Sequence, residues 1–309
     1  MTSDEFTNSE FFLKVGDGYK LYVQDWGKQD VATPIIFLHG GPGGGCDDGH
    51  KSYFDGHSQR VIFFDQRGAG RSTPTGSLEN NTTQDLVADI LKLLQELNLE
   101  KVIVFGRSWG SCLALNFAIR YPEYVEALVL GGIFLGSKAE LSYYDNGEFK
   151  TYFPEVWQYL VDQTPPQYQD DPTTYHSTRI LGKDHKAALE SGMIINTVVG
   201  ATMKLDDRIR PIDPETYDLN PIRIERYYID NNCFMPDNYI VKNASKLTMP
   251  VWIVQGRYDM VCPPVAAWQL YKALPNAQYI STIAGHSGND RANLDALQSI
   301  LVTLTQTLS

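Results

Sequence analysis

A serine flanked by glycines, in Gly106-Arg107-Ser108-Trp109-Gly110, sits where one apolar run ends and a helical pattern begins. Val102 to Phe105 is too short for a helix and suits a buried strand. From about Ser111 to Tyr121 the pattern is helical, and Pro122 stops it. A chain that swings from strand into helix within so few residues needs glycine on both sides of the bend, because a side chain there crowds the neighbouring backbone. Such a bend lifts Ser108 above the sheet edge and leaves a helix N-terminus behind any anion that forms beside it. Ser108 is the candidate nucleophile.

The rest of the chain supplies a sheet for that bend. Short apolar runs at Ile35 to Leu38, Val61 to Phe64, Leu128 to Leu130 and Val251 to Val254 read as further buried parallel strands. Apolar residues alternate on either side of Gly16-Asp17-Gly18, which predicts an opening β-hairpin. Val87, Ile90, Leu91, Leu94 and Leu97 recur at helical spacing after Thr82 and Thr83, either of which is a suitable cap, and a last amphipathic helix is expected over about Asn293 to Leu304. From about 138 to 235 the strand runs vanish and Tyr, Trp, Asp and Pro dominate. The expectation is an α/β protein with a mostly parallel central sheet flanked by helices. Its core is divided over residues 1–137 and 236–309, with an inserted, mainly helical cap over 138–235. No internal repeat points to a solenoid or propeller.

Three further segments complete a chemistry. His39-Gly40-Gly41-Pro42-Gly43-Gly44-Gly45 follows the strand Ile35 to Leu38 and is flexible enough to bring backbone amides against a carbonyl oxygen. Gly41 N–H and Trp109 N–H are the expected oxyanion donors, and His39 is expected only to brace its loop. Asp259 lies just past the strand Val251 to Val254, and His286 follows in Ala284-Gly285-His286-Ser287. The order Ser, Asp, His is that of the α/β-hydrolase fold. In that arrangement His286 takes the proton of Ser108, and Asp259 fixes its tautomer.

Composition narrows the alternatives. The net charge of −11 opposes binding to nucleic acid or an anionic membrane surface, and no basic run overrides it. The four cysteines form no C-x-x-C pair, so free thiols are expected. No His-Glu-x-x-His occurs and no Lys-Ser/Thr follows the glycine loop, so neither a metal nor any other cofactor is expected. No apolar run reaches the roughly 18 residues of a membrane helix, and residues 1–10 have no secretory pattern, so the expected location is the cytoplasm.

The sequence resembles the prolyl aminopeptidases, or proline iminopeptidases, α/β-hydrolases that remove N-terminal proline from peptides. The stretches that carry the resemblance are HGGPGGG at 39–45, FDQRGAGRS at 64–72, SWGSCLALNFA at 108–118, GIFL at 132–135, RIERYY at 223–228, VQGRYDMVCPP at 254–264 and AGHS at 284–287. Resemblance implies a small peptide, ester or amide as substrate, Glu225 as a cap carboxylate for its α-ammonium, and Phe134 and Tyr144 around the proline ring. Asp65-Gln66-Arg67-Gly68 is read as a structural brace beneath the site. Three positions depart from the pattern: Val199 replaces a second glutamate, Gly131 replaces an arginine before Gly-Ile-Phe, and Ile229 replaces an aromatic residue. Glu190 or Asp207 is a candidate substitute for the missing carboxylate. The alternatives are an esterase or amidase for uncharged acyl groups and, more remotely, a non-catalytic ligand-binding relative.

Overall fold

The computed structural model describes residues 5–206 and 208–308. Eight strands form one sheet: β1 (Thr7–Gly16), β2 (Tyr19–Gly27), β3 (Ile35–Leu38), β4 (Arg60–Phe64), β5 (Val102–Ser108), β6 (Val125–Ile133), β7 (Val251–Gly256) and β8 (Ala277–Thr282). Their order across the sheet is β1-β2-β4-β3-β5-β6-β7-β8. β1 and β2 form the antiparallel hairpin and β2 pairs antiparallel with β4, whereas every pairing from β4 to β8 is parallel. The helices are α1 (Thr83–Glu96), α2 (Trp109–Arg120), α3 (Lys138–Asp145), α4 (Pro154–Asp162), α5 (Pro172–Leu181), α6 (His185–Gly200), α7 (Asn220–Asp230), α8 (Tyr239–Asn243), α9 (Pro264–Ala273) and α10 (Arg291–Thr307).

The central strands are apolar throughout because the sheet is buried on both faces. Alternate residues serve opposite cores. Ile36, Leu38, Val102 and Val104 pack with Leu113 and Phe117 of α2, while Ile35, Phe37, Ile103 and Phe105 pack with Leu297 and Leu301 of α10. On the second face the Phe37 ring lies between 5.4 and 6.2 Å from those of Tyr53, Phe54, Phe63 and Phe105. This aromatic floor underlies the strand ends.

Thr82, rather than Thr83, caps α1, through a reciprocal capping box with Asp85. Helix α2 begins two residues before the expected Ser111, directly on Ser108. Strand β8 and helix α9 lie beyond the elements that the sequence pattern predicts. β8 is an edge strand of mixed polarity with only Thr282 buried, so it carries no apolar run. Among the described residues every regular element from Lys138 to Lys246 is helical. No helix of the described residues is long and apolar enough to cross a membrane.

Candidate active site

Ser108 closes β5 and opens α2 with φ 55° and ψ −127°, a conformation that an L-residue adopts only under constraint. Its glycines explain why the bend is possible. A Cβ on Gly106 would lie 2.1 Å from the Gly110 carbonyl oxygen, and one on Gly110 would lie 2.0 Å from that of Leu38. Trp109 is fully buried, its Nε1–H donates to Gln66 Oε1 at 3.0 Å, and its ring meets Tyr228 edge-on at 4.9 Å. The start of α2 is thereby pinned to the loop after β4.

The glycine loop is braced from beneath. The Gln66 N–H donates to His39 Nε2 at 3.0 Å, while Nδ1 lies 2.9 Å from the Gly40 carbonyl and 3.2 Å from the Gly45 amide. Burial lowers the His39 pKa to about 4, so the ring stays neutral. Asp65 accepts from the Cys46 and Arg71 amides at 2.6 and 2.9 Å and from Arg71 Nε at 2.8 Å. Burial opposes its ionisation, yet the Arg71 bond and the neighbouring donors hold its pKa below the ordinary value. Gly41 has φ +115°, which favours glycine at that point of the loop.

Asp259 is buried at the turn after β7 and is held on both oxygens. Oδ1 accepts from the Val261 and Cys262 amides at 3.0 and 2.7 Å, and Oδ2 accepts from Gln255 Nε2 at 3.1 Å. Oδ2 also lies 2.8 Å from His286 Nδ1. Gln255 is itself fixed, since its Oε1 accepts from the Ile133 amide at 2.8 Å. The histidine loop is tied down at several points: Asp290 accepts from the Gly285 amide at 2.8 Å, and the Ser287 amide donates to the carbonyl of Met203, beyond α6, at 2.9 Å.

Ser108 and His286 line one cavity of about 290 Å³, shared with Gly41, Phe134, Tyr144, Val199, Glu225 and Ile229. The structure therefore brings the nucleophile candidate, its base and the residues inferred for the substrate to one place. The Cys262 thiol lines the same cavity beside them. Burial pushes the Cys262 pKa well up, so that sulfur is a neutral thiol.

Glu225 reaches the cavity from α7. Burial raises its pKa to about 7, and the adjacent Arg226 only partly offsets this, being paired with Asp145 and Asp230 at 3.1 and 3.0 Å. The Tyr144 hydroxyl is buried without a hydrogen-bond partner, and burial followed by the nearby Glu225 raises its pKa. Glu190 does not replace the missing carboxylate: its side chain is paired with Arg179 at 2.7 Å, away from the cavity lining. Asp207 lies outside the described residues. The second carboxyl on the cavity wall is Glu140, whose oxygens accept from the Leu135 and Ser137 amides and the Ser137 hydroxyl at 3.0, 3.0 and 2.6 Å. Sequence reasoning missed Gln255, Cys262 and Glu140; only the capping pattern of Ser137 with Glu140 offered a local signal for any of them.

Fold and cavity together define a class, a serine hydrolase built on the α/β-hydrolase plan. Residues 33–290 match the family model described as alpha/beta hydrolase fold. The chain is 38% identical over 292 residues to a probable proline iminopeptidase of Leptolyngbya boryana, covering 92% of this chain and 90% of that protein. It is 39% identical over 291 residues to a proline iminopeptidase of Xylella fastidiosa strain 9a5c, covering 92% and 93%. A solved thermophilic esterase from Thermogutta terrifontis superposes with a TM-score of 0.68 at 17% identity, covering 97% of this chain and all of the other, a likeness of fold alone. The chain belongs to the proline iminopeptidase family of α/β-hydrolases.

Proposed function

We propose that the protein is a serine aminopeptidase that releases N-terminal proline from short peptides through an acyl-enzyme on Ser108. In this reading Nε2 of His286 accepts the proton of the Ser108 hydroxyl as Oγ attacks the substrate carbonyl. Asp259 holds the other ring nitrogen and stabilises the imidazolium. The Gly41 and Trp109 amides receive the oxyanion, and His286 returns the proton to the departing amine. Water then enters by the same route and frees Ser108.

Glu225 takes the α-ammonium of the substrate, while Phe134 and Tyr144 enclose its ring. Residues 138–235 act as a cap over a core formed by 1–137 and 236–309, and the enzyme works in the cytoplasm, where four unpaired cysteines remain reduced. The single observation that carries the reading is the 2.8 Å pair of His286 and Asp259 on the cavity that also holds Ser108 and Glu225. Val199 on that wall favours a second reading, an esterase or amidase for uncharged acyl groups. The two separate on a proline anilide with a free amine, its N-acetylated counterpart and a short-chain aryl ester. An aminopeptidase loses most of its rate when the amine is blocked, and an unchanged rate rejects that assignment.

A further inference from the structure

Arg107, the residue before Ser108, does not point away from the site. Its Nη2 donates to the backbone carbonyl of His286 at 2.6 Å, and Nη1 lies 3.5 Å from the Tyr53 hydroxyl. Among the described residues no carboxylate pairs with it, so its charge is directed at the carbonyl of the histidine itself. Glycines make the slot. A Cβ on Gly288 would lie 2.3 Å from Nη1, one on Gly131 would lie 2.9 Å from Nε, and one on Gly132 would come within 3.3 Å of Nη2 and 3.1 Å of His286 Cε1. The guanidinium is thus wedged between the end of β6 and the loop that carries His286.

Arg107 and Gly131 are register partners on adjacent parallel strands, so their side-chain positions lie side by side, about 4.8 Å apart. Gly131 does not have the positive φ that would strain a side chain there. We propose that Arg107 is a positioning residue that clamps the His286 loop to the strand bearing Ser108. Because the two positions are paired across β5 and β6, an arginine placed at 131 would reach the same slot.

The catalytic part of this inference rests on the proposed roles of Ser108 and His286, whereas the clamp does not, so two readouts are needed. Amide hydrogen exchange of residues 284–288 is compared in the wild type, Arg107→Met, Arg107→Gly, and Arg107→Gly combined with Gly131→Arg, with kcat and KM measured on the proline anilide and the aryl ester. Loss of the guanidinium is expected to speed loop exchange about tenfold or more. It should lower kcat about tenfold to a hundredfold on both substrates, as displacement of a catalytic group by about 1 Å would, with KM nearly unchanged. The double variant should recover both readouts to near wild type. Unchanged exchange in Arg107→Met, or a folded double variant no better than Arg107→Gly, overturns the clamp. Faster exchange with undiminished kcat overturns its role in positioning His286 for the reaction. Failure of Ser108→Ala to abolish turnover identifies the reading of the site, rather than the clamp, as the error.

Discussion

His286 Nδ1 and Asp259 Oδ2 lie 2.8 Å apart, while the other oxygen of Asp259 is held by the Val261 and Cys262 amides. The carboxylate cannot rotate without giving up both amides. In Asp259→Asn the side-chain oxygen stays with those donors, so the new NH2 faces Nδ1 and forces the wrong tautomer on the imidazole. The variant should fold and bind substrate, and kcat should fall about 10⁴-fold. Steady-state kinetics showing a loss below tenfold would remove Asp259 from the mechanism.

Glu225 sets a pH dependence with a definite sign. Its pKa of about 7 means that the group is neutral in acid and ionised above neutrality. Only the ionised form pairs with a substrate ammonium. The ratio of kcat/KM for the free-amine anilide to that for the aryl ester should therefore rise as pH increases through about 7. Dependence on His286 is common to both substrates and cancels in the ratio. In Glu225→Gln the ratio should become flat and fall tenfold to a hundredfold at pH 8, the range for losing a charged hydrogen bond worth about 1.5 to 3 kcal/mol.

Stability responds to the same group in the opposite direction. The folded pKa is raised above the ordinary 4.5, so the native state holds this proton more tightly than the unfolded chain does. The stabilisation is complete below about pH 4.5 and is lost as pH rises towards 7. Urea melts of Glu225→Gln should show a shallower decline across that window. Parallel slopes in wild type and variant would show that burial does not shift this carboxyl.

Val199 lines the cavity with Glu225 and Tyr144, the latter having a buried hydroxyl without a partner. Val199→Glu would place a second carboxylate on that wall. Its expected effect is a tenfold to hundredfold gain in preference for the free-amine anilide over the N-acetylated one. No gain, in a variant that folds, would separate recognition of the substrate amine from this part of the cavity wall.

The bend at Ser108 carries a stability prediction. In Gly110→Ala the new Cβ would meet the Leu38 carbonyl at 2.0 Å, a backbone atom that cannot step aside. A loss of about 4 kcal/mol or more is expected by urea unfolding. Gly200→Ala provides the control, since a Cβ there meets nothing within 4 Å, and it should be neutral or stabilising by up to about 1 kcal/mol.

The legible parts of this protein are those in which one physical requirement leaves one local pattern. Strands buried on both faces must be apolar at every position, so β3 to β7 stood out, whereas the edge strand β8 is solvated and did not. The bend announced Ser108 because its close backbone approaches admit only glycine at 106 and 110. Gln255 and Arg107 gave no comparable signal. Gln255 reaches Asp259 across only 4 positions, but through the shape of the turn after β7, and Arg107 reaches His286 across 179, which only the folded sheet brings together. The failure of Glu190 as a second carboxylate has the same origin, for its pairing with Arg179 depends on how α5 packs against α6.

The most direct test is covalent. A fluorophosphonate probe reacts with a serine only when that hydroxyl is activated and an oxyanion pocket receives the adduct. Mass spectrometry of labelled, digested protein should place a single adduct on Ser108, at a rate reduced at least about 10³-fold in His286→Ala and abolished in Ser108→Ala. Absence of an adduct on Ser108, or labelling that is equally fast without His286, would contradict a reaction centred on this serine and this histidine.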